Sequence, residues 1–222
     1  MTLLTIAKLD PATTSIKAIV CDWNGTIVND TDRALSATNR VLTEFRLAAI
    51  DHATFCDLFC LPLTDFARAL SVPEKDCDQA IQLWNGYLCE GETRLQPGVQ
   101  ALFAAARTLA IPVGIVSAAS ETVIRRDAAA LEIESHLDFV MGSVASKSNA
   151  LREIGTLFGN PILYVGDTEY DILEAQKVGA VAIAFGGGYR PIPALLTADP
   201  VLVITDFTEL SESLLRRLAE CQ

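Results

Sequence analysis

The chain has 222 residues, half of them apolar, which suits one domain or a domain with an insertion and allows a sizeable core. Its 17 basic residues against 28 acidic ones leave a formal net charge of −11 with no basic run, which argues against partnership with nucleic-acid phosphates or anionic membranes. Any anionic substrate therefore needs a local positive site, either a metal or a well-placed lysine. Residues 1–10 lack a basic region followed by a long apolar core, and no apolar run is long enough to span a bilayer, so the expectation is a cytoplasmic protein. Cysteines at 21, 56, 60, 77, 89 and 221 form no Cys-x-x-Cys pair and read as free thiols; Cys56 and Cys60 share a predicted helix face but lack the further ligands of a zinc site.

Ile16 to Cys21 is a mostly apolar run of strand length that ends abruptly in Asp22, followed by the polar turn Trp23-Asn24-Gly25-Thr26. The pattern places Asp22 at the carboxyl end of a buried strand, where it either caps a turn or carries chemistry. Residues 32–47 read as a helix with Leu35, Thr38, Leu42 and Phe45 on one face and Arg33, Arg40, Glu44 and Arg46 elsewhere. Helices follow over 53–60, 64–70 and 73–91, with Leu61-Pro62-Leu63 as an interruption and no strand pattern between Asp30 and Leu95. The expectation is a helical unit over 30–95 inserted into a core made of 1–29 and 96–222.

From Gln96 onward helix and strand alternate. Helices are predicted over 99–110, 121–131, 147–158, 171–178 and 207–221, and strands over 111–116, 139–141, 161–165, 180–185 and 201–204. The last helix carries its apolar stripe on Phe207, Leu210, Leu214, Leu218 and Cys221. Such alternation with continuous apolar strands predicts an α/β fold, a doubly wound parallel sheet covered on both faces. Gly186-Gly187-Gly188 lacks the continuation of a nucleotide-binding loop and reads as a flexible loop at the site edge; Trp23 and Trp84 either face the substrate or pack, with packing favoured.

Three predicted strands end in polar residues: Asp22, Ser117 and Asp167, with Lys147 opening the helix between the last two. A doubly wound sheet brings these to one edge. Asp22 and Asp167, with Asp171 one helical turn further, form a hard oxygen cluster suited to Mg²⁺, and Lys147 with the Ser117 hydroxyl adds what a phosphate needs. Taken singly, Ser117 and Lys147 would each read as ordinary loop residues.

Asp22-Trp23-Asn24-Gly25-Thr26, Ser117, Lys147 and Gly166-Asp167-Thr168-Glu169-Tyr170-Asp171 resemble, in order and spacing, the four motifs of the haloacid dehalogenase (HAD) superfamily, in the style of its phosphoglycolate phosphatase-like members. The resemblance covers nearly the whole core, and the helical unit sits where that family carries its cap. It implies a phosphatase acting on a small phosphorylated metabolite. Asp22 would be the nucleophile, forming an aspartyl-phosphate. Mg²⁺ would be held by Asp22, the backbone carbonyl of Asn24 and Asp167, with Asp171 in support. Ser117, the amide of Ala118, and the Gly25-Thr26 turn would receive the phosphate, and Lys147 would neutralise both phosphate and nucleophile.

The chain departs from the family pattern at Asn24, where most relatives of this kind carry a second Asp that protonates the leaving group and activates water. An amide does neither, and general acid/base catalysis is worth about 10²- to 10⁴-fold. Four readings compete. A cap residue, or a water held by Asp30 or Glu169, substitutes for the acid; this is favoured because every other motif is intact. The chemistry differs, which is disfavoured because carbon–phosphorus cleavage needs a cap lysine and the cap offers only Lys75, and because dehalogenases carry Tyr at the position of Asn24. The protein is a non-catalytic binder of phosphorylated ligands or partners. Or Asn24-Gly25 deamidates to Asp through a succinimide. Specificity would come from the cap, with Leu61, Pro62 and Thr64 of the turn and nearby Arg68 reaching over the site, or else simply joining two helices.

Overall fold

The computed structural model describes residues 16–220. The amino-terminal segment and Cys221 lie outside the described residues, as does the side chain of Leu218. Strand β1 (Ala18–Cys21) is the centre of a six-stranded parallel sheet. On one side it pairs with β4 (Val113–Val116), which pairs in turn with β5 (Phe139–Met141). On the other it pairs with β6 (Ile162–Gly166), followed by β7 (Val181–Phe185) and β8 (Leu202–Ile204). The order is β5-β4-β1-β6-β7-β8, so the chain winds outward to one edge and then returns past β1 to build the other half. That reversal opens a crevice beyond the carboxyl ends of β1, β4 and β6.

Alternation along β1 splits the core. Ile19 and Cys21 point into a cluster with Leu102 and Phe103 of α5 (Val99–Leu109), Ile124 of α6 (Glu121–Ala130), and Phe207 and Leu210 of α10 (Phe207–Glu220). Ala18 and Val20 point the other way, against Leu151 and Ile154 of α7 (Lys147–Phe158) and Ile172 of α8 (Glu169–Gln176). Both faces are covered, which is why the strands read as continuous apolar runs.

Between β1 and α5 lie four helices: α1 (Thr31–Glu44), α2 (His52–Leu58), α3 (Leu63–Ala69) and α4 (Cys77–Leu88), the last preceded by a short 3₁₀ turn. They enclose their own apolar cluster around Val41, Phe55, Phe66, Trp84 and Leu88, joined from the sheet side by Val123 and Tyr189. The unit does not leave β1 directly. Two short antiparallel strands, β2 (Val28–Asn29) and β3 (Arg94–Leu95), pair at its base, where no strand was expected; two residues are too few to display a period of two. The buried stripe of α1 is also turned from the expected one. Ala34, Ala37, Thr38, Val41 and Leu42 are buried, Leu35 and Phe45 only partly, and Arg33 is buried because two carboxylates receive it. Helix α2 ends at Leu58, which leaves Cys60 outside the helix that carries Cys56. A short helix, α9 (Ile192–Leu195), in the β7–β8 connection was not anticipated.

Gly114 on β4 sits in register with Phe139 of β5, and a β-carbon there would fall 2.2 Å from the Phe139 ring, itself stacked on Phe158. Gly86, inside α4, has nothing within 4 Å of the corresponding position. Gly114→Ala should therefore lose about 1–3 kcal/mol through overpacking, whereas Gly86→Ala should gain roughly 0.5–1 kcal/mol from helix propensity. Denaturant midpoints of the two variants, shifted in opposite directions, check both.

Candidate active site

The crevice gathers residues far apart in the chain because each stands at the end of a strand or the start of a helix. Asp22 follows β1, Ser117 follows β4 and Asp167 follows β6. Lys147 is the first residue of α7, whose N-cap is the Ser146 hydroxyl accepting from the Asn149 amide. A cation at a helix N-terminus opposes the helix dipole. Here two carboxylates hold it in place: Lys147 Nζ lies 3.0 Å from Asp22 Oδ2 and 2.5 Å from Asp171 Oδ1, with the lysine fully buried.

Asp171 is held by more donors than its sequence position suggested. Its Oδ2 accepts from the Thr168 amide (3.0 Å) and hydroxyl (2.6 Å), while its Oδ1 accepts from Lys147 and from Tyr164 Oη (3.1 Å). Thr168 and Asp171 form a reciprocal capping box, so α8 begins at Glu169, two residues before the expected start; the Thr-x-x-Asp spacing carried that signal. With four donors already engaged, Asp171 serves chiefly to hold Lys147. Asp167 accepts from Thr26 Oγ1 (3.1 Å) and from the Tyr189 amide (2.7 Å).

Oxygens of Asp22, Asp167 and Asp171 lie within 4.8 Å of one another. Fully ionised, the three carboxylates would face one ammonium and leave two negative charges in a buried crevice, and Asp22 Oδ1 is buried without a hydrogen-bond partner. Burial pushes the Asp22 carboxyl above the usual carboxylate range; Lys147 pulls it down, Asp171 pushes it up, and the Ser117 hydroxyl pulls it down. Asp167 is pushed well above that range by burial, then by repulsion from Asp171 and Asp22. Lys147 is held as a cation, because Asp171 and Asp22 outweigh its own burial. Oxygen donors with a deficit of two positive charges fit a hard divalent cation such as Mg²⁺.

Other expected residues are placed differently. The Gly25 amide donates to Asp30 Oδ1 (3.0 Å) rather than lying free for a phosphate. Gly25 has φ +73° and would bring a β-carbon to 2.2 Å from Asp167 Oδ2, so the turn needs glycine to pass beneath that carboxylate. Thr26 is wholly buried and spends its hydroxyl on Asp167. Ser117, Ala118 and Asn24 do line a small cavity of about 20 Å³ with Asp22 and Asp167. Its roof is Phe59, Leu61, Leu63 and Trp84. Pro62, Thr64 and Arg68 are not among its walls: Pro62 is exposed, and Arg68 is turned outward and paired with Asp65 (2.5 Å) and Glu74 (2.6 Å).

Asn24 Nδ2 donates to Asp30 Oδ2 at 2.5 Å, and its Oδ1 is buried without a partner. The reverse amide orientation would set two oxygens against each other, so the network fixes which atom faces the cavity. Asp30 also accepts from Gly25, from Arg33 Nη2 (2.9 Å) and from Tyr189 Oη (2.9 Å). Its two oxygens thus take four donors, which ties Asn24, Gly25, Arg33 and Tyr189 to one carboxyl group. Glu169 is likewise taken, bidentately, by Arg190 (2.8 and 2.9 Å). The Gly25 amide that succinimide formation requires is engaged by Asp30, which opposes deamidation at Asn24.

Tyr189 and Arg190 were not singled out in the sequence, although they follow the glycine run at the end of β7. The run is not a loose edge: a β-carbon on Gly188 would meet Asp167 Oδ2 at 2.2 Å, and the Gly187 carbonyl accepts from Gln96 Nε2 (3.1 Å), which also reaches the Gly25 carbonyl (3.0 Å). The Tyr189 ring packs edge-on against Phe55 and Phe59 of the helical unit. Arg190 Nη1 donates to the Cys56 and Asp57 carbonyls (2.9 Å to the latter) at the end of α2.

Known proteins agree with this geometry. The profile of the haloacid dehalogenase-like hydrolase family matches residues 19–185. The chain is 25% identical over 192 residues to a phosphoglycolate phosphatase of Synechococcus elongatus, covering 83% of this chain and 91% of that protein. In fold it is similar to a predicted phosphatase from Clostridium acetobutylicum (TM-score 0.79, 17% identity, 91% and 100% of the two chains) and to CbbY from Rhodobacter sphaeroides in complex with phosphate (TM-score 0.71, 20% identity, 88% and 96%). A profile that spans the strand of Asp22, the strand ends of Ser117 and Asp167, and Lys147 between them leaves one conclusion: the chain belongs to the haloacid dehalogenase-like hydrolase family.

Proposed function

We propose that the protein is a Mg²⁺-dependent phosphatase of small phosphorylated metabolites that works through an aspartyl-phosphate on Asp22, with Asn24 standing where a general acid/base would act. The observation that carries this reading is Asp22 itself. Its Oδ1 is buried and unpartnered at a cavity beside Ser117 and Ala118, while Lys147 holds its Oδ2. Oδ1 attacks phosphorus, and the leaving oxygen departs with the bonding pair. Lys147, aimed by Asp171, favours the ionised form of Asp22 and faces the phosphoryl oxygens, which the Ser117 hydroxyl and Ala118 amide also receive. Water then attacks phosphorus and restores the Asp22 carboxylate. Asp22, the Asn24 backbone carbonyl and Asp167 would hold Mg²⁺, with Asp171 behind them, and the bound cation would supply charge that screens carboxylate from phosphate.

The helical unit over 30–95 is read as a cap on a core made of the remaining residues. A cavity of about 20 Å³ has room for a water but not for a phosphoryl ester, so the cap must swing away to admit substrate. The β2–β3 ribbon is the natural hinge. Arg190, tied to Glu169 on one side and to α2 on the other, latches the closed form. Among the described residues no helix is long and apolar enough to cross a membrane, and the reading places the enzyme in the cytoplasm.

Phosphate release with Mg²⁺ present should fall by on the order of 10³-fold or more in Asp22→Ala. It should vanish with a chelator and return when Mg²⁺ is restored. Asn24→Asp places a second carboxyl 2.5 Å from Asp30, where like-charge repulsion retains a proton and makes a general acid. Its turnover of alkyl phosphates should rise by about 10²-fold or more while that of aryl phosphates changes little. A natural protein silent on every ester, beside an active Asn24→Asp, would overturn the claim of turnover.

A further inference from the structure

The roof of the site carries information about the leaving group. Phe59, Leu61, Leu63 and Trp84 face Asp22 across the cavity, and none of them carries a charge. Leu63 and Trp84 also wall a second cavity of about 20 Å³, which continues into the helical unit among Val41, Phe66, Leu70 and Val72. The few polar atoms at its edge are spent. Trp84 Nε1 donates to Thr38 Oγ1 (3.1 Å), and that hydroxyl donates to the Ala34 carbonyl (2.8 Å). Leu63 and Trp84 thus stand between the phosphoryl site and a second, apolar cavity.

The cations of the neighbourhood all have carboxylate partners, and none of them stands at the roof. Arg68 pairs with Asp65 and Glu74, Arg190 with Glu169, Arg33 with Asp30 and Asp127, and Lys147 with Asp22 and Asp171. A carboxylate on the leaving group would enter an apolar roof without a partner, at a large desolvation cost. Independently, Asn24 offers no proton, so a departing oxygen must be stable as an anion. Polarity and basicity point the same way.

We infer that the substrate is a phosphomonoester with an uncharged, apolar leaving group of low oxygen basicity, the chemistry of an aryl phosphate, seated between Leu63 and Trp84. The inference rests on the phosphatase reading above. In the first step the Asp22 Oδ1–phosphorus bond forms and the bond from phosphorus to the phenolic oxygen breaks. The pair stays on that oxygen, and the phenolate takes a proton from water after release. In the second step water attacks phosphorus, the bond to Asp22 breaks with its pair returning to the carboxylate, and both protons of the water leave with the released phosphate, one of them then passing to the hydroxide that phenolate protonation left in solvent.

The test is Mg²⁺-dependent release of phosphate from 1-naphthyl phosphate, 4-carboxyphenyl phosphate, 2-phosphoglycolate and glycerol phosphate, with Leu63→Lys and, as a second variant in the half-buried turn, Leu61→Lys. The naphthyl ester should exceed the carboxyphenyl ester by about 10-fold or more in kcat/KM, carried by KM, although both leave as phenolates of comparable stability. Both should exceed the two alkyl esters by about 10²-fold. Either lysine variant should shrink or reverse the preference of naphthyl over carboxyphenyl. Preference for 2-phosphoglycolate, or for the carboxyphenyl ester, that disappears in Asp22→Ala would overturn this inference and leave the phosphatase reading standing. Silence on all four esters would overturn both.

Discussion

The site depends on one buried ammonium. Lys147 is fully enclosed, and without the carboxylates of Asp22 and Asp171 its charge could not stay in the interior. The dependence is mutual, because the carboxylates share a crevice that burial and mutual repulsion make hostile to negative charge. With all three carboxylates ionised, the cluster would stand two charges short of neutrality. That deficit suits a divalent cation, and only with such a charge in place would the crevice of a strongly acidic protein attract an anionic ligand.

Much of the remaining architecture keeps this cluster in place. Thr168 and Asp171 cap α8 and, in the same stroke, fix the carboxylate that aims Lys147. Gly25 lets the turn after β1 slide under Asp167, and Tyr189 donates its amide to that carboxylate. Stability and chemistry share the same hydrogen bonds, so little in the crevice can be altered for one without the other.

A second polar chain ties the sheet to the helices. Asn24 donates to Asp30, and Arg33 joins Asp30 to Asp127 of α6 through a bidentate pair (2.7 and 2.9 Å). Trp23 Nε1 reaches the same Asp127 (3.4 Å), and Tyr189 returns from the β7 end to Asp30. An amide at position 24 suits this chain, since it donates to a carboxylate that an ionised Asp would repel. The Asn24 amide therefore also settles the charge balance at the base of the helical unit.

Sequence alone determined the parts whose physical signal is local. Apolar runs that end in Asp22, Ser117 and Asp167, alternating with helical periodicity, specify a parallel sheet, and the winding rule then brings those ends to one edge without any contact being known. Lys147 followed, because it opens the helix between two such strands. What tertiary structure decided is where each side chain spends its hydrogen bonds. Nothing near Thr26 or Gly25 in the chain foretells Asp167 or Asp30 as their partners, and Arg68 was drawn toward the site by its place beside a turn when Asp65 and Glu74 hold it outward. Arg33, Tyr189 and Arg190 act through residues 94, 159 and 133 positions away, and pairings of that range leave no mark in local periodicity. Their placement follows from packing, where burying a charge or hydroxyl is tolerable only when its partner arrives from another element.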